Sequence, residues 1–413
     1  MIRISPRAKK IAWLLTLVYF ASYLMRINFT VMTVKICSDM SVEKSAIAVV
    51  IAGLTMTYGG GQIISGLLGD RFKPQYILSV GLFLAAICNV TMYFCNTIPI
   101  MTAVWCVNGF AHSMLWPPIV RLMSMYLTDE EYSYSAVRVS WGSSFATIFL
   151  YTVCPLLLYI MHWRTVMIVC ASAGAVIALI WTVFNKKLLA SPVEMAESAP
   201  KAEDVKQRVP LPKFVFMPIA LIMLGIILQG VLRDGVQDWM PSYLLETFHM
   251  SEENAIFSTV ILAVFSIISF AVFDFIHRKL FKNEVFCAAM IFAFAVLSAG
   301  VLYFVNIFTD MAALSMLLMA FISAGMHGIN LMLITVVPKR FVKSGKVSTF
   351  SGLLNACTYV GASISIYGFA VLAEKFGWSF TILMWVFVAA AGCGVCLAAS
   401  GLWKKFRREY SDN

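Results

Sequence analysis

Long apolar runs recur along the whole chain and restrict it to one class of fold. The 413 residues are 61% hydrophobic and only 13% charged. An α-helix needs about 20 apolar residues to cross a lipid bilayer, and helices satisfy their backbone polar groups without water. We therefore predict an all-α membrane protein with twelve transmembrane helices. Their approximate spans are 11–33, 46–68, 76–95, 99–126, 138–160, 165–185, 214–239, 254–276, 285–305, 311–336, 348–372 and 379–403.

Lys and Arg are distributed unevenly among the segments that join these runs. Most lie before the first run, after most of the even-numbered runs and in the tail. Because Lys and Arg accumulate on the cytoplasmic side of a membrane, both termini are expected in the cytoplasm. The formal net charge of +10 is thus a topology signal, and we expect no nucleic-acid partner. The first run is too long for a cleavable signal peptide.

The longest polar interruption divides the twelve runs into two sets of six. It spans residues 186–213 and is rich in Pro, Ala and charged residues, a composition typical of a flexible linker. We predict an N-terminal six-helix bundle at 1–185, a cytoplasmic linker at 186–213 and a C-terminal six-helix bundle at 214–413. We expect a monomer in the lipid bilayer of the cytoplasmic membrane.

A positive charge interrupts the first apolar run. The stretch from Ile11 to Met32 carries Arg26 past its midpoint. A cation at that depth costs between about 3 and over 10 kcal/mol, so it should face a water-filled cavity or a counter-charge. Tyr23 and Tyr19 precede Arg26 by three and seven positions and share its helical face. This face is predicted to line an anion-binding site.

A second arginine lies within the seventh run, in the stretch VLRDGVQDWMPSYL. Asp234 and Asp238 follow Arg233 closely, and either acid is a candidate partner for it. An acid beside an arginine inside a membrane cavity can also exchange protons. We predict that Arg233 contacts the same anion as Arg26.

The loop after the second run reads GLLGDRFKP over residues 66–74. It resembles the signature loop of the major facilitator superfamily, GxxxDR followed by basic residues. Gly66 would allow close helix approach, while Asp70 and Arg71 can cap helix ends and pair with charges across a cytoplasmic gate. Arg121 and Arg138 lie near the inner ends of neighbouring runs and are predicted to join this gate.

Other stretches resemble one branch of that superfamily, the organophosphate:phosphate antiporters, which includes the glycerol-3-phosphate and hexose-6-phosphate transporters. They are YLMRINF at 23–29, WPP at 116–118 with Arg121, LRDGVQDWMP at 232–241, and YVG at 359–361 with FGW at 376–378. The resemblance is spread over the whole chain. It implies the major facilitator fold, with two six-helix bundles around a central site and one arginine from each bundle clamping a phosphate or similar anion.

Arg26 and Arg233 occupy those two positions. Each guanidinium is a planar fork suited to a tetrahedral oxyanion, and an anion between them would draw the bundles together. The resemblance places Trp116 and Tyr359 in the same pocket, where aromatic rings would pack against the carbon skeleton of the substrate. His112 lies where the family has a glutamine and is predicted to add a hydrogen bond.

Three positions depart from the family pattern. Gln62 stands where the antiporters carry a lysine, Phe145 where they carry a histidine, and Asp234 where they usually carry a tyrosine. These changes favour a singly charged head, such as a sulfonate, carboxylate or phosphodiester, or a substrate whose amine meets Asp234. They also permit Asp234 and Asp238 to couple the transport of the substrate to that of a counter-ion, which would be phosphate or a proton. Gln62 is predicted to donate a hydrogen bond in place of the lost charge.

The sequence therefore predicts a transporter that moves a small organic anion by alternating access. Two alternatives remain open: a proton-coupled symporter of a carboxylate or sugar, and a transporter-like membrane sensor. We expect no enzyme, cofactor or metal site, because no nucleophile–base pair, phosphate loop or metal-ligand cluster is visible. The CxxC at Cys393 and Cys396 lies in the last apolar run and is assigned to packing, as is His327.

Overall fold

The computed structural model describes residues 4–189 and 209–411, and within these ranges the chain is helical and contains no β-strand. Most of the predicted linker, residues 190–208, lies outside the described residues. The linker's first residues continue the helix that precedes it, which ends at Leu189.

Eight α-helices are described before residue 190. They are α1 (Pro6–Val31), α2 (Thr33–Met40), α3 (Lys44–Arg71), α4 (Pro74–Met92), α5 (Ile98–Ser113), α6 (Trp116–Tyr126), α7 (Asp129–Ile160) and α8 (Trp163–Leu189). α5 and α6 form a single span that is interrupted before Trp116. Pro117 and Pro118 cause this break, because neither can donate a backbone hydrogen bond to the preceding turn.

The described part after residue 208 is also helical. Its α-helices are α9 (Phe216–Phe248), α10 (Glu252–Ser258), α11 (Val260–Lys279), α12 (Glu284–Phe308), α13 (Ala312–Asn330), α14 (Val337–Lys339) and α15 (Val347–Phe406). A π-helical segment, Leu331–Val336, joins α13 to α14. The tenth span is thus irregular near its C-terminal end, and the fourth span is irregular at the α5–α6 break.

The predicted number of spans agrees with the helix lengths. Among the described residues, 11 helical segments are long and apolar enough to cross a bilayer, and the last of them, Val347–Ser411, has 65 residues. Gly377 interrupts that segment with φ 77° and ψ 174°, a conformation that only glycine adopts readily. The segment therefore contains two spans, and the all-α fold with twelve membrane helices is confirmed.

Packing divides the chain into two compact units. The first contains Met1–Arg208 with Phe341–Ala356, and the second contains Val209–Arg340 with Cys357–Asn413. The segment at 341–356 lies within the predicted C-terminal bundle, and its contacts group it with the first unit. α15 accordingly begins in the first unit and continues in the second. The bundle boundaries at 185 and 214 remain a prediction.

The core of the first unit joins apolar packing to a buried amide network. Phe29 and Trp105 are fully buried, with ring centroids 5.1 Å apart. Asn28 donates to the side-chain oxygen of Asn89 at 2.8 Å, and Asn89 donates to the Met25 carbonyl at 2.8 Å. Buried polar groups are tolerated when they are hydrogen-bonded, and this network holds α1 against α4.

The second unit depends on close helix contact and on one buried ion cluster. Side chains at Gly230 of α9 and Gly361 of α15 would collide with backbone atoms of the opposite helix. At the start of α12, Glu284 is fully buried and accepts hydrogen bonds from Arg340 and Arg407, each at 2.9 Å. A buried carboxylate is tolerated here because two guanidiniums surround it.

The glycine contact predicts a difference between two alanine substitutions. Gly230→Ala places a Cβ against the Thr358 carbonyl, and such overpacking costs about 1–3 kcal/mol. Gly300→Ala on α12 is the matched control, because its Cβ meets no atom within 4 Å. We expect a lower melting temperature for the detergent-solubilised Gly230→Ala protein and no decrease for Gly300→Ala. Equal melting temperatures would contradict the proposed contact.

Candidate functional site

The guanidinium of Arg26 lies among aromatic rings of the first unit. Its central carbon is 4.2 Å from the ring centroid of Tyr23 and 4.7 Å from that of Tyr58. Tyr23 belongs to α1 and Tyr58 to α3, so two helices contribute to this contact. Cation–π contacts of this kind stabilise a cation most when it is removed from water. They hold the Arg26 fork in place.

The aromatic cluster extends to the break in the fourth span. The Tyr19 ring packs at a tilt against Trp116, with ring centroids 4.9 Å apart, and edge-on against Tyr23 at 5.2 Å. Trp116 is the first residue of α6, where the helix begins again after the interruption. Irregular segments within membrane spans are typical places for binding sites, because freed backbone groups can then face a cavity.

Two buried polar side chains lie on neighbouring helices of this unit, His112 on α5 and Gln62 on α3. His112 and Gln62 are both 0% exposed. The His112 Nδ1 atom lies 3.1 Å from the Ser22 hydroxyl. Within the described residues, the His112 Nε2 atom and both polar atoms of the Gln62 amide have no hydrogen-bond partner. Buried polar groups are costly when they lack hydrogen-bond partners.

The second unit contributes a different arrangement on α9. The Arg233 Nε and Nη2 atoms donate to the two carboxylate oxygens of Asp234, at 2.6 and 2.9 Å. Asp238 lies one helical turn beyond Asp234 and is exposed on the surface of the chain. Arg233 is therefore already engaged in a two-pronged ion pair with its neighbour.

Two other residues of the second unit were considered from the sequence. Tyr359 is partly buried on α15, directly after the Thr358 carbonyl that Gly230 approaches. The His327 Nδ1 atom lies 2.9 Å from the Ser323 carbonyl, and its ring packs edge-on against Phe270 at 5.8 Å. These contacts give His327 a place in the packing of α13 against α11.

Asp70 caps a helix that begins far away in the sequence. Its carboxylate oxygens accept the backbone N–H groups of Ser348 at 2.9 Å and Thr349 at 2.7 Å. These are the second and third residues of α15, whose N–H groups have no partner within the helix. The carboxylate also counters the positive end of the α15 dipole. Gly69 brings the two helices close, because a side chain there would collide with Ser348.

The predicted gate residues separate into two groups. Arg121 joins Asp70: its Nε atom is 3.8 Å from the carboxylate, and it donates to the carbonyls of Gly69 and Phe72. Arg138 instead stacks on Tyr134, with its guanidinium carbon 3.3 Å from the ring centroid. The Arg71 guanidinium lies over its neighbour Phe72, 5.8 Å from that ring centroid. The structure thus brings Asp70 and Arg121 together and places Arg71 and Arg138 in other contacts.

Three contributors to these sites were missed from the sequence. Tyr58 precedes Gln62 by one helical turn, so its position on the same face of α3 was a usable signal. Ser22 gave no sequence signal for its contact with His112. The start of α15 gave none for its contact with Asp70, because the two positions are 278 residues apart.

Within the described ranges, no three His, Cys, Asp or Glu residues are grouped as metal ligands.

A family model establishes the class of this protein. The model of the Major Facilitator Superfamily matches residues 15–366, and the chain therefore belongs to that superfamily of membrane transporters. The solved structure of the proton:xylose symporter XylE bound to 6-bromo-6-deoxy-D-glucose has the same fold. Its TM-score is 0.73 and its identity 14%, over 96% of this chain and 95% of that one.

Curated relatives narrow the family to a branch. The chain is 25% identical over 401 residues to the glycerol-3-phosphate transporter of Bacillus subtilis, covering 89% of this chain and 86% of that protein. It is 23% identical over 401 residues to the membrane sensor protein UhpC of Salmonella typhimurium, covering 92% and 88%. These relatives fit the organophosphate:phosphate antiporter branch, as the sequence motifs predicted. The family and these relatives are transporters and sensors, and the chain is a multi-pass membrane protein rather than an enzyme.

The Asp70 contact predicts a local effect on α15. Asp70→Ala removes the acceptor for two N–H groups, and losing a helix cap costs about 0.5–2 kcal/mol. We expect faster hydrogen–deuterium exchange at the amides of Ser348 and Thr349 in the detergent-solubilised protein. Asp310→Ala, at an exposed aspartate, serves as the control and should leave this exchange unchanged. Unchanged exchange in Asp70→Ala would exclude the cap.

Proposed function

We propose that this protein is a secondary active transporter of a small organic anion and that it works by alternating access. The observation that carries the proposal is the Arg26 guanidinium, which two tyrosine rings hold within a membrane span. The similarity to a glycerol-3-phosphate transporter supports an organic molecule with a phosphate or related oxyanion head. We propose that Arg26 and Arg233 bind this head, one from each half of the chain.

The surrounding side chains would give the head its hydrogen bonds and the carbon skeleton its contacts. The hydroxyls of Tyr19 and Tyr23 and the buried groups of Gln62 and His112 are suited to the head. The rings of Trp116 and Tyr359 are suited to the apolar part of the substrate. Because Gln62 replaces a family lysine and Phe145 a family histidine, this pocket favours a head with a single negative charge.

Transport requires that binding be linked to a change of access. We propose that Asp234 and Asp238 provide this coupling, because each carboxylate within the membrane must be neutralised before the site can close. The counter-ion would be phosphate in an antiport cycle or a proton in a symport cycle.

The contact between Asp70 and the start of α15 is suited to a cytoplasmic gate. It consists of two hydrogen bonds and a charge–dipole attraction, which can form and break without unfolding a helix. We propose that Arg121 supports this gate by orienting Asp70. Arg71 and Arg138 remain proposed members of the gate through contacts in another state of the cycle. We further propose that the protein is a monomer in the cell membrane and that both of its termini lie in the cytoplasm.

Replacing Arg26 by lysine tests the anion site. Arg26→Lys keeps the charge but removes the planar fork, so we expect at least about a tenfold loss of uptake in proteoliposomes. Glycerol 3-phosphate and ethanesulfonate would serve as probes of the two head groups. Normal uptake of a transported probe by this variant would remove Arg26 from the site.

Arg164→Lys provides the matched control for this substitution. Arg164 donates to the carbonyl of Cys95 at 2.9 Å and to the side chain of Asn96 at 3.0 Å, away from the aromatic cluster. We expect this variant to retain uptake. The elution volume and the melting temperature of both variants, Arg26→Lys and Arg164→Lys, should match those of the wild type. This comparison separates a lost contact from a failure to fold.

A sensor is the second candidate, because a relative of nearly the same length is a membrane sensor protein. A sensor would bind its ligand without moving it. Counterflow in proteoliposomes separates the two functions, since only a transporter accumulates labelled ligand against unlabelled ligand trapped inside. Ligand-dependent stabilisation without any counterflow would favour the sensor.

A further inference from the structure

The last residues of the chain fold back onto the second unit. A π-helical segment, Arg407–Ser411, follows the end of α15. The Arg407 Nη1 atom donates to the Glu284 carboxylate at 2.9 Å, and Glu284 is fully buried. The Tyr410 hydroxyl donates at 2.9 Å to the carbonyl of Val209, in the segment that precedes α9. These two contacts fix the position of the chain end, so its outward side chains form a defined surface.

The end of the chain has one aromatic face and one basic face. Three aromatic side chains are buried within the unit: Trp403, Phe406 and Tyr410. Lys404, Lys405 and Arg408 are instead exposed. Arg408 follows the two lysines by four and three positions, a spacing that places all three on one side of the helix. The buried rings hold this helix in place, and the three cations face outward.

The segment that precedes α9 adds aromatic and basic groups beside these cations. Lys213 and Phe214 begin a short 3₁₀-helix, Lys213–Val215, and both side chains are exposed. The Lys405 Nζ atom lies 5.3 Å from the centroid of the Phe214 ring. Phe216, the first residue of α9, is 62% exposed. We name this surface the basic patch and define it by six residues: Lys213, Phe214, Phe216, Lys404, Lys405 and Arg408.

The basic patch lies where two membrane spans end. Its residues belong to the helical segments Lys213–Phe248 and Val347–Ser411, both long and apolar enough to cross a bilayer. Lys213 opens the first segment and Arg408 lies near the end of the second, so the patch is at the membrane surface. Among the described residues of the chain end, Glu409 is the one exposed acid, and the four cations of the patch outweigh it. Such a surface attracts anionic headgroups.

We propose that the basic patch binds anionic phospholipids of the adjoining leaflet, which is the cytoplasmic one in the topology proposed above. Headgroup phosphates would contact Lys404, Lys405 and Arg408. The rings of Phe214 and Phe216 would lie among the acyl chains. Because the chain end is already fixed, binding orders few further residues, which favours affinity. The lipid site involves neither Arg26 nor the transported substrate.

The apolar part of the patch favours a lipid over a soluble anion. Phe214 is 38% exposed, and Met217, next to Phe216, is 60% exposed. A free phosphate would contact the cations alone and leave these apolar surfaces uncovered. A phospholipid supplies both a negative headgroup and acyl chains, which is what a basic and apolar surface at a membrane interface binds.

Lipid titration of the purified full-length protein tests this site. Native mass spectrometry in detergent would count bound dioleoyl phosphatidylglycerol, which is anionic, and dioleoyl phosphatidylcholine, which is zwitterionic. We expect the anionic lipid to bind at least about tenfold more tightly, because several cations attract its headgroup. Added salt should reduce this ratio, because exposed charges are screened.

Two matched double variants locate the preference. Lys404→Gln with Arg408→Gln removes two exposed cations of the patch and should lower the affinity for phosphatidylglycerol at least about tenfold. Lys9→Gln with Lys10→Gln is the control, because both lysines are exposed on α1 at the start of the first membrane span. The control removes the same charge and should leave the affinity unchanged.

Both double variants should melt at the wild-type temperature without added lipid, since all four side chains are exposed. If the patch variant melts lower, Arg408→Gln alone replaces it and should weaken phosphatidylglycerol binding at least about threefold. An affinity that the patch substitutions leave unchanged overturns the site. So does a wild-type protein that binds both lipids equally.

Three further outcomes also overturn the proposal. An equal loss of affinity in the control would mean that any basic residue at the membrane surface suffices. Displacement of phosphatidylglycerol by an equal concentration of glycerol 1-phosphate would indicate a soluble anion as the ligand. Tighter binding of an oligoglutamate peptide than of phosphatidylglycerol would indicate an acidic protein segment. A preference for phosphatidylglycerol that only the patch substitutions abolish supports the lipid site.

Discussion

The cost of placing a charge within a membrane span underlies the organisation of both units. The two halves meet this cost in different ways. In the first unit, aromatic rings of Tyr23 and Tyr58 surround the guanidinium of Arg26, and its helix contains no acid. In the second unit, Asp234 pairs directly with Arg233. A ring stabilises a cation without removing its charge, whereas an ion pair largely neutralises it. Two arginines at related positions therefore present different electrostatic surfaces.

Interrupted helices and a capping carboxylate are further features of the two units. Pro117 and Pro118 end one hydrogen-bond ladder beside His112, and Gly377 separates the last two spans. The carboxylate of Asp70 replaces the missing partners at the start of α15. This contact lies within the first unit and involves few groups, whereas the apolar packing of that unit involves many.

The relatives show that this fold alone does not decide between transport and sensing. The chain is similar over nearly its whole length to a glycerol-3-phosphate transporter and to a membrane sensor protein. Function resides in the side chains of the site, and those can change while the helices stay in place. Gln62 and Asp234 depart from the family pattern in charge, and we propose that both lie where a ligand would meet them.

The sequence by itself determined the membrane class, the number of spans and the family, because apolar run length, loop charge and local motifs are encoded by neighbouring residues. It also indicated Arg26, whose charge within an apolar run is evident without coordinates. Only the tertiary structure decided that Tyr58 covers Arg26, that Asp234 pairs with Arg233, and that Asp70 caps α15. The first and last of these depend on packing between distant segments, and the second on the choice between two nearby acids. None of these three contacts is fixed by local sequence, because a helix presents many possible partners and packing selects among them.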